Sequence, residues 1–263
     1  MSNQILLSLS GACLGRPLPR KGTTLALLDM PPFVAEELEL RGLNLPVELV
    51  RGQPAATLER LRHIADRAHC PCLVLYQDDP MDFTVEIEAS VQKLRALGRA
   101  AKLLGCGELG IRIVCPPTNV HTVAATLKSA LQVLQQFDVN LLIRPTLDPV
   151  DAPEHLMDLV KRIGGFHVGA MPSFAYAHAT EDGIGALRKL APYSSAIEAT
   201  SSGFNKAGDH AGWDLNAYVE ALLSFGYLNK ISIDWTGTTN WVVGVQKTRE
   251  RLMELMGRGD PVA

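Results

Sequence analysis

The sequence has no excess of basic charge. Its 25 Lys and Arg stand against 28 Asp and Glu, for a formal net charge of -3. Nucleic-acid binding ordinarily rests on a basic face that neutralises phosphates, so this balance argues against such a partner. Long apolar runs are also missing. None approaches the ~20 residues of a membrane-spanning helix, which argues against a membrane partner. Residues 1–11 lack a basic start and a long apolar stretch, so no secretory leader is expected and the cytoplasm is the expected compartment. Cysteine is sparse and odd in number: Cys13, Cys70, Cys72, Cys106 and Cys115. That count excludes a disulfide framework. Cys70-Pro71-Cys72 is the only close pair, and a zinc site would want two intervening residues and a second such pair. Thiols buried in a reducing compartment are the reading left. Low-complexity segments and linkers are absent. The glycine-rich phosphate loop of a doubly wound sheet has only a weak counterpart, Ser10-Gly11-Ala12-Cys13-Leu14-Gly15.

What is present is 47% hydrophobic content over 263 residues, enough for one large core. Short apolar runs and helix-like segments alternate along the chain. Strands are predicted at 5–9, 45–50, 72–76, 109–114, 140–143, 166–170, 196–200 and 231–234. Helices are predicted at 31–40 with Asp29 as cap, 55–68, 83–104 ended by Gly105, 120–137, 152–163, 184–190, 215–225 and 242–256. Eight strand–helix pairs in strict order imply parallel strands with right-handed crossovers. An α/β barrel typically takes roughly 250 residues. The fold class expected is therefore α/β, a single (β/α)8 TIM barrel spanning residues 1–263. Active sites of such barrels lie at the carboxyl ends of the strands, which directs attention to residues 171–176, 198–210 and 234–237.

Several strings, in order and at the right spacing, carry a resemblance. They are the 187–191 segment with Pro192-Tyr193, Ala196-Ile197-Glu198-Ala199, Phe204-Asn205-Lys206-Ala207-Gly208 with Asp214, Gly226-Tyr227, Ile231-Ser232-Ile233-Asp234-Trp235-Thr236-Gly237, and Gly244-Val245 with Thr248-Arg249. The chain resembles the xylose isomerase-like barrels of the sugar phosphate isomerase and epimerase type, over nearly its whole length and most clearly from residue 105 onward. That resemblance implies one divalent metal, often manganese, magnesium, zinc or cobalt. Its ligands would be a Glu ending strand five, an Asp ending strand six, a His on strand seven and a Glu ending strand eight. The glutamates would double as acid and base for a proton next to a carbonyl.

The sequence departs from that set. Arg144 stands at the strand-five position, Ser173 at the strand-six position and Glu198 at the strand-seven position. Only strand eight keeps a carboxylate, Asp234, one methylene shorter. A guanidinium cannot ligate a metal and repels one. No family-type metal site and no other cofactor is expected. A divalent manganese, magnesium or zinc ion stays open only through another set, such as Glu48, Asp78 and His210.

Arg144, Glu198 and Asp234 are expected to converge at the barrel mouth. Either Arg144 binds a substrate oxygen while Glu198 and Asp234 act as acid and base, or the three form a buried ion cluster in a vacated metal site. Lys206, Asp209 and His210 lie in a glycine-rich loop after strand seven. His210 beside Asp209 reads as a proton shuttle, or the loop is simply polar surface with Asp209 or Asp214 capping the next helix. Glu48, placed near the end of strand two, would bind a hydroxyl or pair with a neighbouring strand. Arg112, inside strand four, would point either into the barrel or at a carboxylate on the next strand, and both readings fit a partner such as Glu48. In Tyr76-Gln77-Asp78-Asp79-Pro80 the paired aspartates suggest a metal or sugar hydroxyls, although Asp-Asp-Pro is more often turn chemistry. Ser173, Tyr176 and His178 follow strand six and would line a pocket or pack on the barrel. Trp213, Trp235 and Trp241 cluster near the last two strand ends, where aromatics stack on sugars or pack under loops.

Two functions follow as expectations. The first is an isomerase, epimerase or lyase-like enzyme acting on a small sugar, sugar phosphate or sugar-derived keto compound, with Arg144 as electrophile. The second is a catalytically degenerate barrel serving as a small-molecule-binding or scaffold subunit. DNA-repair activity, known for metal-rich relatives, would need a basic face and metal ligands that are absent here. A homo-oligomer is compatible with the chain.

Overall fold

The structure is a computed structural model describing residues 5–19, 22–147 and 151–257. Of residues 1–11, on which the expectation about a leader rests, the first four lie outside the described residues. The strands are β1 (Leu6–Ser10), β2 (Leu43–Pro46), β3 (Cys72–Asp82), β4 (Glu108–Val114), β5 (Asn140–Ile143), β6 (Val168–Ala170), β7 (Ala196–Ser201) and β8 (Lys230–Trp235). The helices are α1 (Met30–Glu36), α2 (Val47–Val50), α3 (Ala55–Arg67), α4 (Ile87–Leu104), α5 (Val120–Gln135), α6 (Pro153–Ile163), α7 (Phe174–Ala179), α8 (Gly183–Leu190), α9 (Leu215–Ser224) and α10 (Trp241–Gly257).

All eight strands are parallel and form one sheet in the order β6-β5-β4-β3-β2-β1-β8-β7. The two end strands meet through parallel bridges Ala170–Ser194 and Ser173–Glu198, and the Glu198 N–H donates to the Pro172 carbonyl at 2.9 Å. The sheet thus curls round to join its own edge, the arrangement expected of a (β/α)8 barrel. Among the described residues no helix is long and apolar enough to cross a membrane.

The strands alternate between two cores. Leu9, Leu45, Leu75, Ile111, Ile143, Ala199 and Ile233 face outward and are buried under the helices. In α4, Leu94, Leu97, Ala101 and Leu104 recur at helical spacing to form the matching stripe, and Gly105 ends the helix at φ 79. Inside the barrel, Val74, Tyr76, Leu142, Met171 and Ala196 make a smaller apolar cluster.

Three expectations are corrected. Strand two ends at Pro46, and residues 47–50, expected as its continuation, turn into α2. Proline has no N–H to extend the ladder, and here it caps the short helix that follows. Strand three does not stop at Tyr76 in a turn. It runs to Asp82, with its register against β4 shifting between Gln77 and Met81, so Asp78-Asp79-Pro80 bulges out of a continuing strand. Helix α4 accordingly begins at Ile87 rather than at residue 83. The Asp82 carboxylate accepts from the Thr84 N–H, the Thr84 hydroxyl and the Val85 N–H, which holds the intervening turn. Asp29 does sit at the N-cap of α1, but its side chain makes no capping bond.

Candidate functional site

Arg144 follows β5 directly, Glu198 lies in the middle of β7 and Asp234 near the end of β8. Thr200 and Asp234 are register partners, as are Glu198 and Ser232, so the four inward carboxylate and hydroxyl positions share one face. Arg144 bridges the group. Its Nη2 is 3.2 and 3.0 Å from the two oxygens of Glu198, and its Nη1 is 2.5 Å from Asp78 Oδ1. The guanidinium carbon lies 4.4 Å from the centre of the Tyr76 ring, a cation–π contact. Gly110 leaves room for this, since a Cβ there would fall 3.0 Å from Arg144 Cδ and 3.1 Å from Tyr76 Cβ.

A second line of hydrogen bonds reaches Glu198 from below. Ser10 Oγ lies 3.1 Å from the Tyr76 hydroxyl and 3.2 Å from Glu198 Oε1. A hydroxyl carries one proton and a carboxylate only accepts. The chain therefore runs from Tyr76 to Ser10 to Glu198. Arg112, half-buried on β4, donates to Asp78 Oδ1 at 3.1 Å and to the Pro145 carbonyl at 2.8 Å.

Exposure differs sharply within the cluster. Arg144 is 6% and Glu198 3% exposed, whereas the Asp78 side chain is 56% exposed and Asp234 is partly open to solvent. Burial opposes ionisation of Asp78, yet Arg144 and Arg112 together hold its carboxyl below the ordinary range. Burial would also favour losing the Arg144 charge, but Glu198 and Asp78 push its pKa up instead. Asp234 is the group left over. Burial, then repulsion from Glu198, raise its pKa to about 7, against the weaker opposing pull of Arg144.

Sequence-predicted residues outside this cluster fall into place as follows. Glu48 sits on α2, exposed, paired to Arg51 at 3.1 Å, so it neither faces the mouth nor meets Arg112. Ser173 caps α7, accepting from the Tyr176 N–H at 3.0 Å, and its backbone bridges to Glu198. Tyr176 is fully buried and donates to the Asp151 carbonyl at 2.7 Å. Trp235 alternates outward from Asp234 and packs against Gly244 of α10, where an added Cβ would lie 2.3 Å from its ring. Lys206 and Asp209 are exposed in a loop lying against α10, with Asp209 3.7 Å from Arg251. His210 turns inward instead. Its Nε2 lies 3.0 Å from the Ser202 N–H nitrogen, and its Nδ1 3.1 Å from those of Gly212 and Trp213. The Asp209–His210 shuttle is thus not assembled, because adjacent residues in this loop point to opposite sides. His178 stacks near Trp213, with ring centres 5.3 Å apart.

The alternative metal set of Glu48, Asp78 and His210 does not come together either. Among the described residues no group of three or more His, Cys, Asp or Glu is placed to hold a metal ion. The donor chemistry at the strand ends agrees, since both arms of Arg144 occupy the carboxylates that would otherwise ligate. Ser10 and Tyr76 were not singled out from sequence as site residues. The only signal available was their position at strand ends that proved to face inward.

The fold defines the class of this protein. It has the xylose isomerase-like barrel fold, the type that also carries sugar phosphate isomerases and epimerases. Among solved structures it is similar to an L-ribulose 3-epimerase, at 12% identity and TM-score 0.77, covering 97% of this chain and 96% of that one. It is also similar to a xylose isomerase domain protein from Planctomyces limnophilus, at 14% identity and TM-score 0.69, covering 97% and 96%. A xylose isomerase-like TIM barrel protein from Mycobacterium smegmatis, in complex with magnesium, matches at 12% identity and TM-score 0.70, covering 97% of each chain. No family model and no curated protein matches the sequence. At these identities the likeness establishes the fold alone.

Proposed function

We propose that this barrel moves a proton at a carbon next to a carbonyl in a small, polar, sugar-derived compound, using Asp234 as acid–base and Arg144 as the electrophile. The observation that carries this reading is the juxtaposition at the barrel mouth of a solvent-reachable Asp234 with a buried arginine held between two carboxylates. A carboxyl poised near neutrality suits a group that must both take and return a proton. In the forward step Asp234, as carboxylate, takes the proton from carbon. The charge then develops on the carbonyl oxygen, where the guanidinium field opposes it. The Arg144 Nε–H is buried with no partner among the described residues, a donor that such an oxygen could accept from. Asp234 then returns its proton to the neighbouring carbon, while the hydroxyl proton on the carbon that lost its C–H passes to the former carbonyl oxygen, so that carbonyl and hydroxyl exchange places. Glu198, bound by Arg144 and Ser10, fixes the guanidinium rather than shuttling.

The fold supports this reading because similar barrels include named sugar epimerases. The direct test is proton NMR in D2O with a panel of ketoses, ketose phosphates and sugar acids. Wild type should exchange a C–H next to the carbonyl for deuterium in at least one compound. Asp234→Asn should slow that exchange by about 10²–10⁴-fold. No exchange with any compound, or an equal rate in the variant, would overturn it.

A second reading, a barrel retained for binding alone, is favoured by the near-complete burial and mutual neutralisation of Arg144 and Glu198. It predicts thermal stabilisation by one of the same compounds with no exchange at carbon.

A further inference from the structure

The interior of the barrel is split. Val74 on β3, Leu142 on β5, Ala196 on β7 and Met171 just after β6 form an apolar group within it. On the adjoining strands β8, β1 and β2 it is polar: Ser232, Ser8 and Asn44. All three polar residues face inward. Ser8 precedes Ser10 by two positions on the same strand face, Ser232 is the register partner of both Ser8 and Glu198, and Asn44 is the register partner of Ser10. Their exposures are 0%, 0% and 1%. Neither hydroxyl, and neither the amide nitrogen nor the carbonyl oxygen of Asn44, has a hydrogen-bond partner among the described residues.

Four orphaned polar atoms on three neighbouring strands are too costly to be left dry. Each buried, unpaired group costs about 1–3 kcal/mol, and native interiors satisfy such groups with protein or with ordered water. An apolar side chain at these positions, as used at Val74, the register partner of Asn44, and at Leu142, would have avoided the cost altogether.

We propose that Ser8, Asn44 and Ser232 form an internal water-binding site adjoining the chain from Tyr76 through Ser10 to Glu198. The chemistry selects water over an ion. Asn44 presents a donor and an acceptor together, and each serine hydroxyl can turn to serve as either, so an occupant that both donates and accepts satisfies all four atoms. A cation would face the Asn44 N–H donors, and an anion would face lone pairs. Water with three such partners has the coordination typical of buried solvent. Water there makes a polar floor for the mouth on the side of β8, β1 and β2. This inference does not depend on the reaction proposed above.

The decisive experiment is a high-resolution crystal structure of the full chain, with 17-oxygen relaxation dispersion of the same protein in solution. Density for at least one water within hydrogen-bond distance of Ser8 Oγ, the Asn44 amide and Ser232 Oγ is expected, together with a long-lived water signal. Rotamers that pair these side chains with one another, or a dry gap between them, would overturn the proposal. Ser232→Ala gives an independent sign. If water is held, removing one of its partners lowers the thermal midpoint by roughly 2–4 °C and weakens the long-lived signal. If the site is dry, the same change removes an orphan hydroxyl and raises the midpoint, which also overturns the proposal. Should the variant fold poorly, the wild-type density alone decides.

Discussion

Arg144 Nη2 lies 3.0 Å from Glu198 Oε2, and both side chains are less than a tenth exposed. The pair spans β6, joining the end of β5 to β7 across the strand that closes the barrel. Removing one partner of a buried pair leaves an uncompensated charge, which costs about 3–5 kcal/mol. Arg144→Met, which strands Glu198, is expected to lose that much in urea unfolding. Arg144→Met combined with Glu198→Leu should cost less than the sum of the two single changes.

Asp234 gives the site a pH dependence near neutrality. Its folded pKa of about 7 lies above the ordinary carboxyl value of 3.8. The folded state therefore holds a proton that the unfolded state has released between those values. The stability contributed by this group is fully present below 3.8 and is lost as pH rises through about 7. Asp234→Asn should flatten that part of the stability–pH curve and leave the variant more stable than wild type at pH above this range. The proton-exchange rate of wild type should show a matching inflection near 7, absent from the variant.

His210 works in the opposite direction. Burial holds its pKa below 6.5, and backbone N–H groups of Ser202, Gly212 and Trp213 point at its ring nitrogens. A neutral imidazole has one acceptor nitrogen, which serves either the Ser202 N–H or those of Gly212 and Trp213, and protonation removes it. The His210 contribution is present above 6.5 and lost as pH falls through the lower folded value. Amide hydrogen exchange should show Gly212 and Trp213 losing protection on acidification before the strands do, and His210→Phe should remove that protection at every pH.

Gly110 tests the placement of Arg144. A methyl group there would meet Arg144 Cδ at 3.0 Å and Tyr76 Cβ at 3.1 Å. Gly110→Ala is expected to cost about 1–3 kcal/mol through overpacking. It should reduce proton exchange by a larger factor than the stability loss explains, because the guanidinium is displaced.

Glu48 is the control. Its carboxylate faces solvent and Arg51. Glu48→Gln should change stability by no more than about 0.5 kcal/mol and leave proton exchange unaltered. A large loss of exchange would place the mouth elsewhere.

The sequence by itself determined the barrel. Eight apolar β-branched runs, each followed by a segment with helical spacing, can bury both faces of a sheet only with helices outside it, and Gly105 ended its helix where the pattern placed it. The convergence of Arg144, Glu198 and Asp234 was also legible, because strand ends of one barrel meet at one mouth. What the tertiary structure decided were the partners. Tyr76 and Ser10 join Glu198 from residues 66 apart in the chain, a contact that local pattern cannot encode. Asp78, read as turn chemistry, became the second carboxylate on Arg144 because β3 bulges and continues instead of turning. Glu48 left the site when Pro46 ended its strand, and Trp235 left it because neighbouring residues of a strand face opposite sides. Local sequence sets element and period, while the facing of a side chain depends on register and closure, which only the folded barrel fixes.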